Sequence, residues 1–416
     1  MRIFLLTVFT FLSLITIVNA QNSSPYTRYG VGDLDYGYSA KMMSIGDLGV
    51  TQLDPDHIII TNPASWASFN KTRIEFGLGY KGISISNNSD KFFTSETDFK
   101  GFTFGFPVST EYGIGVAFGL VPYSRVSYKA VKNFTSLDNS VPSYKVNYEG
   151  KGGISKLFVG SSVNLPLGFI GGVSLDYYFG NLEYFSDIEF DANSSNINTS
   201  YNNNRRSTGF GSSVGIISPD LTKAINVQPI SDLRLGISIN YISKLNTDTI
   251  LTSTSFSLVD TIARTSTKMS IPIRINSGIS FVLSEMYHFN FDYAYQPWGE
   301  FKLGDVKSDN LRNAQKFSAA FEYIPKRNIG MSTWEQIVWR GGLSYEETQY
   351  KFNGSGINQF SVFGGLSFPM GADNSIDLGL QYALRGTKDN NLLQENFVKL
   401  YIGVSFGELW FLRYEK

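Results

Sequence analysis

The chain has 416 residues, a formal net charge of −1, no cysteine and two histidines; 17% of it is charged, 15% aromatic, and it holds 40 glycines. The lack of cysteine removes disulfides, thiolate catalysis and cysteine-based zinc sites, and a near-neutral chain without a lysine or arginine block offers no footprint for nucleic acid or an anionic membrane surface. So few charges beside so many glycines and aromatics do not suit a cytosolic enzyme.

The first element in chain order is "MRIFLLTVFTFLSLITIVNA", residues 1–20, where Arg2 precedes an apolar run from Ile3 to Val18 and a Val18-Asn19-Ala20 end. This pattern predicts a secretory signal cut before Gln21. Its apolar run is shorter than the ~20 residues of a spanning helix, and no later run approaches that length. Residues 21–72 follow without strand-like alternation yet are too apolar for a free tail. They are expected to plug the interior of a barrel built from residues 73–416, with a periplasmic cap as the alternative placement.

From about residue 73 onward the apolar period is two, the spacing of strands. In "RIEFGLGY", Ile74, Phe76, Leu78 and Tyr80 share one face, and Arg73, Glu75, Gly77 and Gly79 the other. "DLRLGISINY" separates Leu233, Leu235, Ile237, Ile239 and Tyr241 from Arg234, Gly236, Ser238 and Asn240 in the same way. About fourteen such strands can be drawn, from 73–86 through 97–108, 112–131 and 143–165 to 396–412.

A soluble sandwich also alternates, so the connections decide. "STEY" (109–112), "PLG" (166–168), "SEMY" (284–287) and "GADN" (371–374) are tight; between them come long polar links such as "SDIEFDANSSNINTSYNNNRR" (186–206). The links at 219–231 and 326–335 are longer than this alternation wants. Short turns on one rim and long links on the other predict an all-β, transmembrane antiparallel β-barrel of about fourteen strands, with a lumen plugged by the N-terminal segment. Closure satisfies every backbone group that lipid cannot. Strands of about twenty residues exceed the ~9–11 that cross hydrocarbon and should stand above it. Trp298, Trp339 and Trp410 are expected at the membrane boundaries, and "NSSNINTSYNNN" (193–204) as a flexible surface loop.

The second face of the strands then lines the lumen. It carries glycine and charges of both signs: Glu75, Lys100, Asp176, Arg234, Arg274, Asp292, Arg340, Asp377, Arg385 and Lys399. Charges at membrane depth belong in pairs or in water, so these either brace the wall or select a substrate.

Two motifs suggest chemistry and fail on context. G-x-S-x-G occurs in "GSSVG" (211–215) and "GVSFG" (403–407), but a nucleophile elbow needs a strand turning sharply into a helix. Both copies lie within alternating strands. "GLGYKG" (77–82) lacks the helix that a dinucleotide fingerprint requires. No catalytic residue, metal site or cofactor is expected.

One feature bears on mechanism. Strand three, "YGIGVAFGLVPYSRVSYKA", has Pro122 in its middle and runs beside a strand four bearing "GKGG" (150–153). Proline cannot donate to the ladder and strand glycines mark bends, so Pro122 with Gly150, Gly152 and Gly153 should weaken the seam between these two strands.

The stretch "SAKMMSIGDLGVTQLDPDHIIITNPASW" resembles the N-terminal hatch of FadL-type fatty-acid and hydrocarbon transporters. Asn62, Pro63 and Ala64 match the Asn-Pro-Ala turn before the first strand, and Ser44, Gly46 and Gly49 fall where that family favours small residues. "LRNAQKFSAAFEYIP" (311–325) is similar too, and PorV-like proteins, accessory subunits of the type IX secretion apparatus, share the structural group. The resemblance implies a Gram-negative outer-membrane channel for small hydrophobic compounds, with Pro122, Gly150, Gly152 and Gly153 at the equivalent of a side window to the bilayer. The outer links depart from the family in being rich in Asn, Ser, Thr and Asp. The alternative is a non-conducting PorV-like accessory subunit of an outer-membrane secretion or assembly complex. Expected partners are therefore outer-membrane lipid, a hydrophobic small molecule or such a complex.

Overall fold

In a computed structural model of the chain, the described residues are 24–135, 142–190, 196–222, 229–326, 330–371 and 373–409. The expected signal, residues 1–20, and the aromatic residues Trp410, Phe411 and Tyr414 lie outside them.

The wall consists of β1 (Thr72–Ser86), β2 (Lys91–Ser109), β3 (Ile114–Phe134), β4 (Tyr144–Asn164), β5 (Ile170–Phe190), β6 (Thr199–Ile217), β7 (Ile230–Ile242, resuming Leu245–Ser255) and β8 (Leu258–Ser270, resuming Arg274–Leu283). It continues through β9 (Tyr287–Gln296), β10 (Ala314–Tyr323), β11 (Val338–Phe352), β12 (Ser355–Met370), β13 (Asn374–Arg385) and β14 (Gln394–Glu408). Each strand pairs antiparallel with its neighbours, and β14 pairs with β1 from Gln394↔Ser86 to Glu408↔Thr72, which closes the cylinder. Fourteen strands close the ring, as the alternation predicted.

The pleat sorts the side chains inside out. Phe76, Leu78, Leu235, Ile237, Ile239, Leu400 and Ile402 are exposed on the outer surface, whereas Arg73 and Glu75 on the opposite face are buried. An apolar outer surface of this extent needs hydrocarbon around it.

Residues 24–71 lie within the cylinder. Their backbone and side chains meet inward-facing glycines around the ring: Gly77 (β1) at Tyr38, Gly115 (β3) at Trp66, Gly172 (β5) at Ala64, Gly236 (β7) at Val50 and Thr51, Gly365 (β12) at Ser44 and Gly379 (β13) at Ala40 and Met43. The segment begins near the long-strand rim, where Tyr26 Oη donates to Leu393 O at 2.7 Å. It descends through a short helix α1 (Ala40–Ser44), capped by Ser39, and leaves past the turn Pro63–Ser68, capped by Asn62, to enter β1 from the short-turn rim.

Several expectations need correction. The long polar link at 186–206 is mostly wall: β5 continues to Phe190 and β6 begins at Thr199, with Thr199–Thr208 paired to the upper half of β7. Of the tract at 193–204, residues 193–195 lie outside the described residues and Thr199–Asn204 is strand, because cross-strand pairing outweighs the turn preference of Asn and Ser. Much of the second rim's height is strand, since β7 meets β8 through Phe256 and Ser257, both at positive φ. Trp298 is no boundary residue; it is 1% exposed and packs on Phe301 at 5.6 Å, in a connection folded over the inner segment. Trp339 does lie on the outer surface.

Candidate functional site

The cylinder is not fully zipped. β2 and β3 pair from Ser109↔Ile114 up to Phe102↔Leu120 and no further, although β2 continues on the wall to Lys91 and β3 to Phe134. Gly101 sits there at φ +136°, beside a bulge that slips the β1–β2 register between Gly77 and Leu78. On the other strand Pro122 has no N–H to offer, and a second bulge between Pro122 and Ser124 shifts the register with β4. A glycine in a conformation that side chains avoid and, just beyond the Val121 it lies against, a residue without a donor mark the two edges where the ladder ends.

The expected seam was therefore one strand out. β3 and β4 are paired from Val116↔Ser161 to Phe134↔Tyr144, and the opening lies between β2 and β3. The glycines of β4 have another task. Gly152, at φ +110°, leaves no room for a Cβ against Asn181 O, and a Cβ on Gly153 would overlap Ser124 O. They let β4 bend tightly against its neighbours. Pro122, Gly150, Gly152 and Gly153 all line one cavity of about 670 Å³ at the opening, together with Glu96, Phe99, Gly101 and Arg125. Gly101 was overlooked in the sequence. Its signal was a phase slip: Phe99 and Phe102 both face outward although three residues apart.

The inner segment takes the place β2 vacates. Asp33 and Leu34 pair antiparallel with Arg125 and Ser124 of β3, Asp35 N donates to Tyr123 O at 3.0 Å, and Ser127 N donates to Thr27 Oγ1 at 3.2 Å. Polar backbone that would face the lumen unpaired is satisfied this way.

The predicted lumen charges mostly grip this segment. Glu75 accepts from Ile58 N at 2.8 Å and from Tyr38 Oη. Asp292 accepts from Gly49 N at 3.0 Å and Val50 N at 3.1 Å. Arg385 holds Asp33 at 2.9 Å, Lys100 lies 3.3 Å from Asp35, and the Arg274 guanidinium covers the Tyr36 ring at 4.6 Å. Two stay within the wall. Asp176 accepts from Ser174 and Ser213 at 2.9 and 2.8 Å, and Arg234 bonds to Asp232 at 2.7 Å near the short-turn rim. The Lys399 ammonium lies with Lys81, Lys100 and Asp35 around a small inner pocket.

Arg340 and Asp377 belong to a closed ring of ion pairs that includes residues not singled out in the sequence. Lys41 contacts Asp54 at 3.2 Å, His57 contacts Asp54 and Asp377 at 3.0 Å each, Asp377 contacts Arg340 at 3.3 Å, and Glu322 joins Arg340 to Lys41. Lys41, Asp54 and His57 come from the inner segment; Glu322, Arg340 and Asp377 from β10, β11 and β13. The inner segment is thereby clamped to three wall strands. Burial opposes the charged form of His57, but the Asp377 and Asp54 carboxylates outweigh it and raise its pKa from 6.5 to about 10. Three cations and three anions then balance.

The Asn62-Pro63-Ala64 turn seats on glycines of the wall. Asn62 Oδ1 accepts from Ala64 N at 3.0 Å and its Nδ2 donates to Val50 O at 2.8 Å. A Cβ on Gly172 would overlap the Pro63–Ala64 peptide, and one on Gly215 would overlap Asn62 Oδ1. The serines of the two G-x-S-x-G copies are engaged as lumen residues: Ser213 Oγ with Asp176 at 2.8 Å and Ser405 Oγ with Asp56 O at 2.7 Å.

Solved structures of this fold include two toluene transporters and a FadL homologue. The toluene transporter TbuX of Ralstonia pickettii is 15% identical, over 90% of this chain and 99% of its own, with a TM-score of 0.57. The P. putida toluene transporter TodX is 13% identical over 92% and 100%, with a TM-score of 0.61. A Pseudomonas aeruginosa FadL homologue is 11% identical over 88% and 98%, with a TM-score of 0.63. The likeness to FadL-type barrels is one of fold. No curated protein sequence matches the chain. A family model described as BamG matches residues 1–415, and the chain therefore belongs to the BamG family.

Proposed function

We propose that this protein is an outer-membrane barrel that passes small, predominantly hydrophobic compounds sideways, between the bilayer boundary and the lumen, through the gap between β2 and β3. The observation that carries this reading is the unzipped wall above Phe102 and Leu120, opening on a cavity of about 670 Å³. With ~9–11 residues per crossing, the gap begins near the outer edge of the hydrocarbon, where a compound dissolved in lipid can reach it. The fold shared with two toluene transporters and a FadL homologue supports the same direction. Residues 24–71 act as its plug.

The test is uptake of a hydrophobic fluorescent probe by liposomes carrying the protein. Thr97 lies exposed at the opening, and Thr97→Trp should cut uptake several-fold. Equal uptake by the two overturns the lateral route.

A second reading has its own observation. The ion-pair ring and the backbone pairing of Asp33 and Leu34 fix the inner segment at both ends, which favours a non-conducting accessory subunit of a larger outer-membrane assembly. Purification in mild detergent separates the readings. A stoichiometric protein partner together with no probe uptake supports the second; a solitary barrel with uptake supports the first.

A further inference from the structure

We infer that the opening selects amphiphiles whose head carries both a positive and a negative charge, with Glu96 and Arg125 as the selecting pair. This rests on the lateral-passage reading and names the class of compound it serves.

The cavity is divided along its height. Phe99, Leu120, Val121 and Pro122 line it at the end of the β2–β3 ladder, nearest the hydrocarbon, while Glu149, Lys151 and Glu183 line it farther up the wall. An apolar lower part and a polar upper part of both signs fit a tail and a head.

Glu96 and Arg125 hold the position that decides passage. They flank the opening from its two sides, Glu96 on β2 and Arg125 on β3. Both also line the small inner pocket, of about 50 Å³, that contains Asp35, Lys100 and Lys399. They thus stand at the junction of outer cavity and lumen. Arg125 Nη2 reaches across the opening to Asp98 Oδ2 of β2 at 2.7 Å, and Glu96 Oε1 lies 3.7 Å from Lys81 Nζ of β1.

The tail of an amphiphile is served by the apolar lower part, and its head alone meets these charges. A head with one charge meets an opposite charge on one side and a like charge on the other. A head with both signs replaces the lost water at each side with a charge-assisted contact.

The test uses the full chain in lipid nanodiscs and three probes with the same decyl chain, bearing trimethylammonium, sulfate or phosphocholine heads. Each competes with a fluorescent alkyl-phosphocholine. The phosphocholine head should bind about tenfold more tightly than either singly charged head. Arg125→Gln should bring the trimethylammonium probe level with it, and Glu96→Gln the sulfate probe. The exchanged pair Glu96→Arg with Arg125→Glu should restore the zwitterion preference and guards against a fault in either single variant. Equal affinity for the three heads in wild type and variants overturns this inference; if Thr97→Trp still blocks uptake of the hydrophobic probe, lateral passage stands without it. Failure of every probe to bind, with uptake unchanged by Thr97→Trp, removes both.

Discussion

His57 Nε2 lies 3.0 Å from Asp377 Oδ2 on the wall, while its Nδ1 lies 3.0 Å from Asp54 of the inner segment. A neutral imidazole has one N–H and can satisfy one of these carboxylates; the protonated ring donates to both. The ring of six charged groups is neutral when His57 carries its proton and holds one excess negative charge when it does not. Glu75 faces the same site.

This sets a pH dependence. The folded pKa of His57, about 10, exceeds its unfolded value near 6.5. Its contribution to holding the segment is therefore complete below pH 6.5 and is lost as pH rises through about 10. Protease protection of residues 24–71, followed in detergent from pH 6 to 11, should fall toward the upper end. In His57→Gln the loss over that range should be smaller, with less protection at neutral pH. Identical profiles would show that the imidazole does not secure the segment.

Removing a cation from the ring is a harsher perturbation than titrating it. Arg340→Met leaves Glu322 and Asp377 buried with their charge in excess, a change that costs about 3–5 kcal/mol in comparable buried pairs. Unfolding followed by heat-modifiable mobility on gels should show a clear loss of stability. Little change would mean that water enters the ring.

The turn at Asn62 depends on absent side chains. Gly172→Val puts Cβ and two methyl groups where the Pro63–Ala64 peptide lies, so the segment must shift or leave. Protease cleavage near residues 55–68 should rise while the barrel keeps its resistance to heat. Unchanged protection would show that the turn does not need this contact.

The alternation of β1, β7 and β14 carried the barrel in the sequence, because a strand with lipid outside and packed polar groups inside must repeat every two residues. The charges facing inward were legible for the same reason: Glu75, Asp292, Arg340 and Asp377 lie on the face opposite the apolar one. Pro122 marked the strand with a broken edge, since the missing N–H is a local fact. What it could not mark was which neighbour loses contact. β4 tolerates the proline through a bulge, and β2 lets go beside Gly101.

The sequence by itself thus determined the closed antiparallel cylinder and the side of the wall each residue faces, both set by local period and turn length. The tertiary structure decided where the wall opens and what fills it. Lys41 and Glu322, which meet in the ring, are 281 positions apart, and Asp33 and Arg385 are 352 apart. Such partners have no local signature, because their attraction is felt only once closure of fourteen strands brings them within a few ångströms.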